Sequence, residues 1–559
     1  MIHSVNQRTA MAVSAAVVAA CVTAACGSPP AAATAASDPV VIMPSAIEAH
    51  MRYLADDLLE GREAGTRGYD LAAAYVASQF RQIGLRPAGT DGGYFQPVPL
   101  QAHWVVRDGA RLIVRPQGGR VTQLTLGQDY VVQSSPVRAA SALAAAAVFA
   151  GYGIDAPVFK HDDYAGLDVK GKVVVLLAGY PSTFPSEEGA HYGSGREKAR
   201  TAAEKGAIGV VTIYTQRYES VYPWDRAVAA LDSMSMAWVA PDGTPFVPSA
   251  ALEVAAVMSP TAGSLLFEGA PRSYQQVRDE AAKGAPKGFP LAVSLDMAQA
   301  SRHERRSSVN VVGRLEGSDP ALRSEHVVML GHLDHEGIGP AVAGDRIYNG
   351  AMDNAAGIAG LLEAARALAS QPAAPRRSIL FLAVTAEEKG LLGSEFFARF
   401  PTEPADSLVA AVNLDMPILR YDFTDVIAFG AQHSSLQGIA ETALAGMKLS
   451  LTPDPMPEQA IFTRSDHYRF VQQGVPSIFL STGWNTPAGT GEGGKVFQQF
   501  LAGDYHQPSD DLSKPIDFVA GARFARANVE ILKAIADGER KPTWNEGDFF
   551  GNLYGRGSR

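Results

Sequence analysis

Alternating β-type and helical runs between residues 305 and 540 predict an α/β fold: a mixed, mostly parallel sheet flanked by helices. Three observations carry this reading. Short apolar runs such as Val327–Leu330 and Ile379–Val384 are bounded by turn signals, as buried strands are. A helical pattern from about Ala356 to Ala369 separates two of them, with Ile358, Leu361, Leu362, Ala365 and Leu368 on one face. Histidine, aspartate or glutamate follows several of the runs, where open α/β sheets place their ligand crevice.

The elements follow in order. Residues 45–98 begin with a helical pattern (Ile47, Met51, Leu54, Leu58), a glycine-punctuated loop L-E-G-R-E-A-G and a second helix from about Tyr69 to Ile83. From 140 to 290 the texture turns β-rich. Ala147–Ile154, Gly171–Leu177 and Gly206–Ile213 read as strands, with a helix over Lys198–Lys205. Ser308–Gly313 opens the α/β part. Leu408–Val412 and Ser477–Leu480 read as further core strands, and 518–536 as a closing helix. The chain therefore divides into a discontinuous domain at 45–139 and 291–540, an insert at 140–290 and a tail at 541–559.

Composition is that of a folded protein, 47% hydrophobic and 19% charged. A net charge of −10 and the lack of any basic run exclude nucleic acid as a natural partner. At the N-terminus, Arg8 precedes an apolar small-residue run from Ala10 to Ala25, shorter than a membrane span and shaped like a secretory signal. The only cysteines are Cys21 and Cys26, and the triplets before both resemble a bacterial lipobox. The expectation is a signal segment at 1–26 and a tether at 27–44. The protein is then exported and lipid-anchored through Cys26, or through Cys21, or is simply cleaved and secreted. The mature chain is left without a disulfide.

The chemistry lies in five fragments, G-H-L-D-H, A-M-D-N, A-E-E-K-G, N-L-D-M and Y-H-Q-P-S-D. They supply His332, Asp353, Glu388, Asp415 and His506 as metal ligands and Glu387 as a free carboxylate. Two metals need about three ligands each with one carboxylate shared, plus an unbound base, and this set fills that list. Asp334 is placed to receive the second ring N–H of His332. His335 is expected to point elsewhere. Adjacent Glu387 and Glu388 after an apolar strand are costly unless cations compensate, and consecutive residues diverge, so one can bind metal while its neighbour faces water.

These fragments resemble those of the co-catalytic zinc exopeptidases, specifically the bacterial secreted aminopeptidase and glutamate carboxypeptidase-like group. The likeness runs over 45–98 and 305–540, and the 140–290 block resembles a protease-associated domain, expected to act as a lid or docking module. The resemblance implies two Zn2+, with cobalt or manganese fitting the same ligands. One would be held by His332, Asp353 and Asp415, the second by Asp353, Glu388 and His506. Glu387 would activate a water between the metals and then protonate the leaving amine. Tyr505 would support the oxyanion, and Arg464 and Asp466 of the R-S-D-H element would lie near a peptide substrate. An acidic cluster suits a free α-amino group, which favours an aminopeptidase. A carboxypeptidase or dipeptidase would show several arginines, of which only Arg464 and Arg420 stand out. The same scaffold would also suit a glutaminyl cyclase, which needs one zinc, or a binding protein without catalysis. The oligomeric state is open.

Overall fold

Seven longer strands frame the main sheet: β1 (Phe95–Val105), β2 (Phe289–Leu315), β3 (His326–His332), β4 (Ser378–Val384), β5 (Leu408–Leu414), β6 (Asp425–Phe429) and β7 (Ser477–Thr482), with the short strands Arg86–Pro87, Ser235–Trp238 and Ser450–Thr452 added at its margins. They come from a computed structural model that describes residues 41–284 and 286–556, all within the unit Val40–Arg559. The leader run and both cysteines lie outside the described residues. Among the described residues, no helix is long and apolar enough to cross a membrane.

The spatial order is β1-β2-β4-β3-β5-β7-β6. The four central strands β4, β3, β5 and β7 are parallel, and antiparallel partners close both sides. Parallel strands are covered on both faces, which is why these runs are apolar throughout rather than alternating. On one face Val327, Met329, Phe381 and Val412 meet the helices α1 (Pro44–Leu54), α2 (Arg67–Ile83), α3 (Ala356–Ala369) and, from the C-terminal end, Phe518–Asp537. On the opposite face, Val328, Leu330, Leu382 and Ala411 pack against Phe397 and Phe470. The chain leaves β3 to build its two neighbours, β4 and β5, on opposite sides. The carboxyl end of β3 is therefore the point where a crevice opens.

A second sheet has its own core of Val175, Leu177, Val211, Ile213, Met258 and Leu295. Its strands include Arg111–Pro116, Tyr130–Val132, Ala140–Phe149, Val173–Leu177, Gly209–Ile213 and Val254–Met258. It thus draws on chain as early as Arg111. The strand expected to open the α/β part at Ser308 is far longer. In β2, pairing with the second sheet extends over 289–300 and pairing with β1 over 301–311. The charged run S-R-H-E-R-R is a half-exposed ribbon joining the two sheets.

Candidate metal centre

Three strand ends converge on one cavity of about 410 Å³, lined by His332, Asp353, Glu387, Glu388, Asp415 and His506 together. His332 closes β3, and its register partner Val384 closes β4, three residues before Glu387. Asp415 follows the last residue of β5. Asp353 comes from the turn before α3. There Gly350 adopts a φ of +60°, and a Cβ would meet the Asp353 carbonyl oxygen at 2.1 Å, so the turn requires glycine.

The donors gather in two groups that meet on one carboxylate. Asp353 Oδ1 lies 3.2 Å from His332 Nε2, which is 3.1 Å from Asp415 Oδ1. Asp353 Oδ2 lies 3.3 Å from His506 Nε2, which is 3.1 Å from Glu388 Oε2. His332, Asp353 and Asp415 lie close enough to hold one ion, as do His335, Asp353 and Glu388 with His506 alongside, and such borderline and hard donors suit zinc and its first-row neighbours. Glu387 lines the same cavity without an ion-pair partner among the described residues.

Electrostatics separate the two glutamates. Burial pushes the Glu387 carboxyl up; His332 pulls it down, but repulsion from Glu388, Asp466 and Asp415 leaves it well above the usual carboxylate range. Burial acts on Glu388 in the same direction, yet His506 and His335 outweigh it and hold Glu388 well below that range. Asp353 is likewise brought down to about 2: burial and Glu388 raise it, but His332 and His506 outweigh them. Burial pushes the Tyr505 phenol up to about 12, so its hydroxyl keeps a proton to donate.

Supporting contacts fix the ligands. His332 Nδ1 lies 3.1 Å from the backbone oxygen of Asp334, which sets the tautomer with Nε2 free toward the cavity. This corrects the expected role of Asp334. Its carboxylate does not take the imidazole, but accepts the backbone N–H groups of Glu387 at 3.1 Å and Glu388 at 3.3 Å, and so positions the glutamate pair. Ser465 donates to Asp415 Oδ2 at 2.5 Å.

His335, expected to point away, places Nδ1 2.7 Å from Glu388 Oε1 and belongs to the second group. The chain leaves the pleat after His332, so strand alternation no longer sets side-chain direction there. Asp466 is fully buried and does not line the cavity, where its neighbours Arg464 and Ser465 do. It stands behind the wall rather than beside a substrate. Arg420 is also elsewhere, donating to Asp504 at 2.6 Å. Tyr505 and Arg464 both line the cavity, with Arg464 Nη2 3.5 Å from the Tyr505 hydroxyl.

Four further residues that the sequence reading does not assign contribute to the centre. Arg62 is buried and donates to the backbone oxygens of Leu333 at 3.0 Å, Asn349 at 2.6 Å and Gly350 at 3.2 Å, tying together the turns that bear His335 and Asp353. Asp510 accepts the backbone N–H groups of Met352 and Asp353. Tyr222 and Arg226, from the β-rich segment, form part of the cavity wall.

Comparisons with known proteins agree with this architecture. The sequence model of Peptidase family M28 matches residues 310–532, the stretch that contains all six cavity side chains named above. A probable leucine aminopeptidase 2 of Aspergillus oryzae is 29% identical over 199 residues, covering 34% of this chain and 37% of that protein. Aminopeptidase NAALADL1 of Mus musculus is 34% identical over 139 residues, 24% of this chain and 17% of its own length. The chain thus spans well under half of the curated relatives it matches. An aminopeptidase from Aneurinibacillus sp. strain AM-1 shares the fold, with a TM-score of 0.50 at 18% identity over 89% of this chain and 94% of that one. Residues 310–532 thus match peptidase family M28, and the polar residues at the strand ends lie within that stretch.

Proposed function

We propose that the protein is a metal-dependent aminopeptidase that removes the N-terminal residue of peptides. The observation that carries it is Asp353, whose two carboxylate oxygens face two separate donor groups while Glu387 stands free at the cavity. His332, Asp353 and Asp415 would hold one divalent cation, and Asp353, Glu388 and His506 a second, with His335 beside Glu388. Bound there, two zinc ions supply Lewis-acid polarisation and make water acidic near neutral pH. Glu387 accepts the proton of the attacking water and passes it to the leaving amine. The Tyr505 hydroxyl donates to the oxyanion as the carbonyl becomes tetrahedral. Of the lining carboxylates only Glu458 is left unassigned to face the substrate's free ammonium, and the aminopeptidase names of the relatives favour this reading.

Arg226 and Arg464 on the cavity wall favour a second reading, in which a carboxylate beside the scissile bond is recognised and the enzyme is a carboxypeptidase. The purified protein, assayed on aminoacyl-nitroanilides and on N-acetylated peptides with and without a chelator, separates the two. Chelator-sensitive hydrolysis of the nitroanilides, with N-acetylated peptides untouched, supports the aminopeptidase. The reverse pattern supports the carboxypeptidase.

We further infer export and lipid anchoring through Cys26 or Cys21, from the apolar run that ends there. Detergent partitioning of the native protein and of Cys26→Ser and Cys21→Ser variants tests this. If neither substitution alters partitioning, there is no anchor. The β-rich segment is taken as a protease-associated module that shapes access, since Tyr222 and Arg226 line the cavity.

A further inference from the structure

Beside the metal cavity lies a larger one, of about 900 Å³. The two share a wall: Ser220, Val221, Tyr222, Glu458, Gln459 and Arg464 line both. The two cavities therefore adjoin, with residues 220–222, Glu458, Gln459 and Arg464 facing both.

The cations that the metal cavity would hold offset its carboxylates, whereas the second cavity carries a surplus of positive charge of its own. The metal cavity presents Asp353, Glu387, Glu388, Asp415 and Glu458 against Arg226 and Arg464. The second presents Arg217, Arg278 and Arg464 against Glu458 alone. These arginines lie over aromatic faces: Arg217 is 5.2 Å from the Tyr180 ring, Arg464 is 5.4 Å from Tyr222 and Arg278 is 6.0 Å from Tyr274. Among the described residues none of the three is within 4.0 Å of a carboxylate oxygen, although Arg107, Arg111 and Arg196 all find such partners. In a chain of net charge −10, three guanidinium groups held on aromatic faces around one cavity make an anion-accepting wall. Arg217 and Arg278 line only this cavity, away from the scissile position.

We propose that the second cavity is the leaving-side subsite and holds the free α-carboxylate of a short peptide, with Arg217 and Arg278 as its partners and Arg464 at the junction. This rests on the aminopeptidase reading. A short peptide bound with its scissile bond at the metal groups can lay its terminal carboxylate among the arginines next door. A long chain or an aminoacyl-anilide has no terminal carboxylate to place there. The protein is thus a finishing enzyme for short free-acid peptides, acting after an endopeptidase has produced them.

Calorimetry on the zinc-loaded full chain tests the subsite. The probe is a tetrapeptide whose first peptide bond is replaced by a CH2–NH link, used as free acid and as C-terminal amide. The acid is expected to bind about tenfold tighter than the amide. The Arg217→Met/Arg278→Met double variant should narrow that gap to about twofold, and lysine at both positions should restore most of it, because charge rather than shape carries the preference. Both arginines are exposed, and a melting curve reports whether each variant is folded. Equal affinity of acid and amide for the wild type, or an unchanged gap in the folded double variant, overturns the proposal. Wild-type turnover of leucine p-nitroanilide is scored separately. Its absence removes the aminopeptidase reading, whereas turnover with no acid preference in binding removes only the subsite.

Discussion

The Asp510 carboxylate, fully buried, accepts the backbone N–H of Asp353 at 3.0 Å and so fixes the residue on which both donor groups meet. The same carboxylate takes the N–H of Met352 at 3.0 Å, so it holds the Met352–Asp353 end of the turn whose Asn349–Gly350 end Arg62 holds. Asp510→Ala leaves two buried N–H groups without an acceptor, at a cost of about 1–3 kcal/mol each. A lowered melting temperature and a substoichiometric metal content are expected, with Asp510→Asn partly restoring both because its amide oxygen still accepts. Full metal content in a folded Asp510→Ala variant would show that the turn holds itself.

His335 makes a second prediction. Its Nδ1 sits 2.7 Å from Glu388, and partners of this kind typically contribute about ten- to hundredfold to metal affinity. His335→Ala should weaken one of two metal-binding steps by about that factor and leave the second step near its original value. Titration of the chelated protein with zinc, followed by calorimetry, resolves the two steps. Equal weakening of both, or of neither, contradicts the grouping around Glu388.

Much of this centre is legible in the sequence because it follows the strands. Val327–Leu330, Ile379–Val384 and Leu408–Val412 are apolar enough to be buried on both faces, and the residues beyond their carboxyl ends are His332, Glu387 with Glu388, and Asp415. The helix over Ala356–Ala369 is found with the expected bounds. What stays hidden acts across the sequence rather than along it. Arg62 works through the backbone of Leu333 and Asn349, 271 and 287 positions away, and an oxygen acceptor on the main chain leaves no residue type to read. Tyr222 and Arg226 reach the cavity through the placement of the second sheet, for which their local pattern holds no information. Strand alternation misplaces His335, because the pleat ends before that residue is reached.

A pH dependence follows from His433, remote from the metal centre. Its ring is buried between Glu187 and Asp548, with Nδ1 2.6 Å from Asp548 Oδ2. Burial lowers the imidazolium, but the two carboxylates outweigh it and raise the pKa from 6.5 to about 9. The charged form therefore stabilises the fold by at most about 3 kcal/mol below pH 6.5, and this contribution is lost as pH climbs through about 9. Because Glu187 belongs to the β-rich segment and Asp548 to the C-terminal region, the loss loosens their attachment to the main sheet. Melting temperatures at pH 6.5 and about pH 10 should differ more for the wild type than for His433→Gln. An equal or smaller difference in the wild type contradicts the assignment.

The most direct test of the central claim compares Glu387→Gln with Glu388→Gln, measuring bound zinc and kcat for each. Glu387 faces the cavity and is the proposed base, so its amide should keep both metals and lose at least about two to four orders of magnitude in kcat. Glu388 meets His506 and His335, so its amide should lose metal from one group and recover part of its activity in excess zinc. A folded Glu387→Gln that had lost zinc, or that turned over at a near-normal rate, would contradict the division of labour between the two glutamates.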